Sequence, residues 1–107
     1  SSPSKEITEA QGGGRPSAED VARRLSQRRP DFLKCFGTLL QKNHRSRGLV
    51  DVTFTILPTG RISQPSARSE EIRDETFQNC LFEVLQRIRF SAFTGEAVLA
   101  KFPLVFD

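Results

Sequence analysis

Between Val50 and Ile56 apolar and polar side chains alternate without a break. Val50, Val52, Phe54 and Ile56 share one parity, and Asp51, Thr53 and Thr55 the other. Successive side chains of an extended chain point to opposite faces, so this spacing makes a strand with one face to bury and one for water. Pro58-Thr59-Gly60 follows. Proline presets φ for a turn and glycine takes a positive φ at little steric cost, so the chain reverses here. Arg61 then begins a return strand with Ile62 turned inward. A single hairpin is marginal in water. The segments on either side of Gly48 to Ser63 must therefore cover its apolar face.

Those segments carry helical periodicity. Ser17-Ala18-Glu19-Asp20 has the form of a capping box, with Ser17 as N-cap and Asp20 three residues on. Val21 and Leu25, one turn apart, face one way. Pro30 ends that helix or starts a second. Phe32, Cys35, Phe36, Leu39 and Leu40 follow the three-four spacing of an amphipathic helix, with Asn43 to Gly48 a basic exit loop. Ser66 to Arg73 is polar. Beyond it Asp74 is the N-cap of a helix with Phe77, Cys80, Leu81, Val84, Leu85 and Ile88 on its apolar stripe, and Arg87 and Arg89 are placed in its last turn, where cations suit the helix dipole. Ser91 to Gly95 reads as a turn. Glu96 to Phe106 reads as a third strand, with Val98, Ala100, Phe102, Leu104 and Phe106 on one face. Pro103 lacks the N–H that a central strand donates, which puts this strand at a sheet edge.

The order is helix, helix, strand, strand, helix, strand. The last helix crosses over between the second and third strands, and the first strand fits between them. The expected fold is therefore α+β: a three-stranded antiparallel sheet in order 2-1-3, with the helices on one face. A hydrophobic share of 36% is low for a chain folded from end to end. Residues 1–16 contain a single large aliphatic residue, Ile7, and the joint Gly12-Gly13-Gly14, so they are read as a disordered linker. Residues 17–107 form the domain. The first residue is Ser1 rather than Met, as expected of a fragment or a processed chain, and there is no signal-peptide pattern. No apolar run approaches the roughly 18 residues of a membrane span.

The ordered set of strand one, the turn ending in Gly60-Arg61-Ile62, the polar stretch through Ser69, the helix carrying Cys80 and ending at Arg89-Phe90, and the closing Phe102-Pro103-Leu104-Val105-Phe106 resembles the TonB C-terminal domain superfamily. The resemblance spans Val21 to Phe106 and is to the AgmX/PglI-type C-terminal branch, in which one cysteine precedes strand one and another lies in the crossover helix, here Cys35 and Cys80. It implies a periplasmic, non-catalytic interaction domain of a Gram-negative envelope protein, tethered to the inner membrane by a segment outside this sequence. It further implies a link from inner-membrane machinery, of the energy-transduction or gliding-motility type, to an envelope or outer-membrane protein or peptide. In TonB such a domain grips its partner as an added strand. This chain has no Tyr, so TonB's Tyr-containing motifs are missing and a siderophore-receptor partner is not implied. A monomer is expected, with a dimer as the alternative.

Four sets of residues then bear on chemistry. In a secreted domain Cys35 and Cys80 are expected to form a disulfide between two helices; in a reducing compartment they would be two thiols packed as small hydrophobes. Residues 1–48 carry ten Lys or Arg against five Asp or Glu, and residues 49–107 six against eight. The positive charge therefore belongs to the N-terminal half. Arg23, Arg24, Arg28 and Arg29 are its densest patch, either a solvated helix face or a surface for an anionic partner. Without interleaved aromatics it is not a nucleic-acid platform. His44, the sole histidine, reads as an exposed loop residue rather than the base of a thiol nucleophile. Two Cys and one His do not make a tetrahedral zinc set, no glycine loop cradles phosphate, and no cofactor or enzyme is expected. The fourth set is the edge Ala97, Val98, Leu99, Ala100, Lys101 and Phe102, whose unpaired backbone groups either accept a partner strand or stay blunted by Lys101 and Pro103. With the resemblance, partner binding is the favoured reading. The runner-up is an anchoring domain that holds an anionic surface through the basic helix.

Overall fold

The computed structural model describes residues 14–107. Most of the predicted linker therefore lies outside the described residues. The elements in chain order are α1 (Ala18–Gln27), α2 (Arg29–Lys42), β1 (Gly48–Ile56), β2 (Ile62–Arg68), α3 (Glu75–Arg87) and β3 (Val98–Phe106). The sheet has three antiparallel strands with β1 in the middle, β2 on one side and β3 on the other, as the crossover requires. The helices cover one face.

Local chemistry sets the helix ends. The Ser17 hydroxyl accepts from the Asp20 N–H while the Asp20 carboxylate accepts from the Ser17 N–H, so two orphan donors of α1 are satisfied reciprocally. Pro30 lies in the first turn of α2, where its missing N–H has no helical partner to lose. Asp74 caps α3 by accepting from the Phe77 N–H at 2.8 Å. Arg89 stands beyond the last turn of α3, because the helix ends at Arg87; from there it still donates to the Gln86 carbonyl at 2.6 Å.

The apolar parity of β1 is wholly buried: Val50, Val52, Phe54 and Ile56. Over it, α1 lies towards β3, α3 towards β2, and α2 packs against α3. Phe106 joins both packed helices to the sheet, its ring centroid 5.1 Å from that of Phe36 in α2 and 5.3 Å from that of Phe77 in α3. Each fully buried large side chain contributes about 1.5–3 kcal/mol; these come from α1, α2, β1 and α3, and β2 and β3 add the buried Ile62, Leu104 and Phe106.

Three further features differ from the sequence expectation. The return strand runs to Arg68, through residues read as the start of the polar stretch. A bulge between the partners of Thr53 and Thr55 inserts an extra residue, Gln64, at φ 53°, and breaks the alternation that would have marked the strand. Pro65 is admitted because β2 is an edge. The third strand starts at Val98 rather than Glu96. Finally, Ile72 and Phe93, which stand in stretches read as polar or as turn, are in the core, as is Phe90, read as the end of the last helix but lying beyond it.

Phe90 and Phe93 are held there by the hairpin turn. The Phe90 N–H donates to the Gly60 carbonyl at 2.8 Å, and the Phe93 N–H to the Pro58 carbonyl at 2.9 Å. Gly60 has φ +91°, and a Cβ on it would lie 1.9 Å from the Phe90 carbonyl oxygen. Its glycine therefore permits both the turn and the close passage of the chain leaving α3. Gly60→Ala should lower stability by at least about 2 kcal/mol, from the positive φ and the collision together. Thr59→Ala, at the exposed neighbouring position, should stay within about 0.5 kcal/mol of wild type in the same chemical denaturation series.

Candidate functional site

The edge expected from the sequence to receive a partner strand is the free edge of β3. The register of β1 and β3 is continuous from Gly48 opposite Phe106 to Ile56 opposite Val98, so this strand has no bulge and is fully paired on its inner side. No strand lies beyond it among the described residues. A proline in a paired strand turns its nitrogen to the side that needs no donor. Pro103 thereby sets the parity: Leu99, Lys101 and Val105 share its orientation and offer their N–H and C=O groups outward. The open ladder is continuous through Leu99 and Lys101 and loses its donor at Pro103. Ala97, placed at this edge from the sequence, lies just ahead of the strand, and its carbonyl accepts from the Arg15 guanidinium at 3.4 Å.

The two sides of this edge differ. On the sheet face away from the helices Leu99 is 80% exposed and Val105 56% exposed, with Lys101 between them. On the helix side a cleft of about 140 Å³ opens between β3 and the junction of α1 and α2. Leu25, Phe32, Leu104 and Phe106 form its apolar floor, Leu33 its wall, and Ser26 and Arg29 its rim. Sequence reasoning missed this cleft, since three elements make it. Leu33 stands off the apolar stripe of its helix, and that isolated apolar position was the one available signal.

The basic set is drawn apart. Arg23 pairs with Asp20 one turn back. The Arg24 guanidinium lies over the Phe90 ring, 5.6 Å from its centroid, and donates to the Arg89 carbonyl at 2.6 Å. Arg28 reaches Asp31 at 3.4 Å. Arg29 alone of the four has no partner among the described residues and sits at the rim of the cleft beside β3.

Cys35 and Cys80 form a disulfide, with Cα atoms 5.8 Å apart and 45 positions between them in sequence. It joins α2 to α3 above the sheet. No free thiol remains among the described residues, and His44 is exposed in the loop after α2. Among the described residues no group of three or more His, Cys, Asp or Glu is placed to hold a metal, and no helix is long and apolar enough to cross a membrane. A second joint links the same two helices at the surface. Lys42, in the last turn of α2, donates to the Asp74 cap of α3 at 2.7 Å. The Lys42 hydrogen bond, and then that of the Phe77 N–H, hold the Asp74 carboxyl below its ordinary pKa. The Ser17 N–H does the same for Asp20, with Arg23 assisting. No family model matches the chain, and no curated protein or solved structure matches it.

Breaking the disulfide should cost about 4 kcal/mol, the loop entropy of a 45-residue separation in the chain-entropy account. Denaturation with and without reductant measures this. Cys35→Ser should reproduce the loss and abolish the effect of reductant, and alkylation of the unreduced folded protein should add no mass. For Asp74, a folded pKa below the unfolded one means stability present above the unfolded value and lost as pH falls through the folded value. The stability gap between wild type and Asp74→Asn should therefore be constant near neutrality and shrink once the pH drops below about 3.9, the ordinary aspartate value.

Proposed function

We propose that this domain is a non-catalytic interaction module that takes up an extended segment of a partner as a fourth strand against β3. The observation that carries the reading is the open ladder at Leu99 and Lys101, on a strand whose other side is fully paired to the centre of the sheet. Backbone hydrogen bonds of that kind supply affinity, and alternate side chains supply selectivity. The internal engagement of Arg23, Arg24 and Arg28 counts against a purely anionic surface as the partner.

The setting of that module follows from the resemblance to the AgmX/PglI-type branch of the TonB C-terminal superfamily, which the order of elements and the paired Cys35 and Cys80 support. We place the domain in the periplasm, held to the inner membrane through a segment outside this sequence, with an envelope or outer-membrane protein as partner and a monomer as the working state. A disulfide is at home in such an oxidising compartment.

Leu99→Pro tests the mechanism. Its N–H belongs to the outward parity, so the substitution removes a donor from the free ladder and none from the bonds to β1; circular dichroism should be unchanged. A panel of peptides from periplasmic and outer-membrane segments should shift amide resonances of residues 97–102 in the wild type. Those shifts should vanish in Leu99→Pro and persist in raised salt. Shifts confined to Arg23 to Arg29, and abolished by salt, would replace strand addition with anionic binding by the basic helix.

A further inference from the structure

Strand addition at β3 does not by itself fix what kind of strand the edge selects. Resting on that reading, we propose that β3 takes an acidic extended peptide carrying one large apolar side chain, which enters the cleft between β3 and the α1–α2 junction, while Arg29 and Lys101 receive carboxylates on the two faces of the added strand.

The cleft has the size and lining for such an anchor. Its volume of about 140 Å³ is close to that of an apolar cavity that admits benzene, about 150 Å³. One leucine or phenylalanine side chain therefore fills it. The floor is apolar, and Leu33, 43% exposed, has an uncovered surface that such a side chain would cover. The cleft also lies at the right level. Side chains of an added strand that point to the helix side meet it beside Phe102 to Phe106, where Pro103 ends the donor ladder. The peptide would pair along Leu99 and Lys101 and then set its anchor where the pairing stops.

Charge chooses both the partner and the edge. The residues lining the cleft include Arg29 and no carboxylate. Neither Arg29 nor Lys101 has a partner among the described residues. Arg29 stands on the helix side of β3, whereas Lys101 stands on the bare face. By contrast, the open basin at the end of β2 is lined by Glu70, Glu71 and Glu75, with Arg68 and Arg73, while Asp51 of the middle strand is opposite both Arg68 of β2 and Pro103 of β3 and favours neither edge. An acidic strand is therefore attracted to β3 and opposed at β2.

Synthetic peptides separate these elements. The first is a short alternating Thr-Val peptide with one central Leu and a flanking Glu on each face. The second replaces the Leu by Ala, and the third replaces both Glu by Lys. The first should shift the amides of residues 98–102 and the methyl signals of Leu25, Leu33 and Leu104. The second and third should each bind at least tenfold more weakly. Arg29→Glu, an exposed change in a first helical turn that favours acids, should narrow or reverse the preference between the first and third peptides. Leu33→Arg should weaken the first and leave the second unchanged. If all three peptides pair with β3 equally, the anchor and charge rule is wrong and strand addition stands. If none shifts residues 98–102, both readings fail. If light scattering shows that the edge is already occupied by a second copy of the chain, the acidic-peptide proposal is overturned.

Discussion

The fold depends on one stripe, Val50, Val52, Phe54 and Ile56, which is buried only while three helices from distant parts of the chain lie over it. The stripe belongs to the middle strand, so its exposure is blocked on both flanks by β2 and β3 and from above by α1, α2 and α3. Each neighbour needs the stripe as much as the stripe needs it. None of the flanking segments has enough apolar surface to hold together alone. Cooperative folding of all elements is the expected result.

Much of this could be read in the sequence because the signals are local. Alternation marks β1, the Ser17 and Asp74 caps mark two helix starts, and Pro103 marks an edge strand. What could not be read depends on contacts between distant residues. The bulge at Gln64 adds one residue and so erases the parity on which strand recognition rests. Phe93 looks like part of a turn until the Pro58 carbonyl draws its backbone against the hairpin. Charge counting found the arginines of the N-terminal half but not their employment: Arg24 is committed to Phe90 and the Arg89 carbonyl, residues more than sixty positions away. The cleft beside β3 exists only once α1, α2 and β3 are assembled.

The two edges of the sheet are treated differently. At β2 the bulge and Pro65 interrupt the ladder within the strand, a common means of keeping an edge from pairing indiscriminately. At β3 the interruption comes late, at Pro103, and the stretch before it is regular. A sheet that blunts one edge early and leaves a measured length of the other open limits both where an added strand can sit and how far it can run.

The disulfide has a mechanical meaning as well as a thermodynamic one. A pull applied at the two ends of the domain travels along the chain to Cys35 in α2, crosses the bond to Cys80 in α3, and leaves through β3. The hairpin of β1 and β2 lies in the bypassed loop and is never drawn taut by the covalent chain. The 45-position span between the cysteines would otherwise add about 150 Å to the fully extended length. A load carried through this domain is therefore limited in reach, and the central strand, although it holds the fold together, feels that load through non-covalent contacts alone: its hydrogen bonds to β3 and its apolar face against the helices.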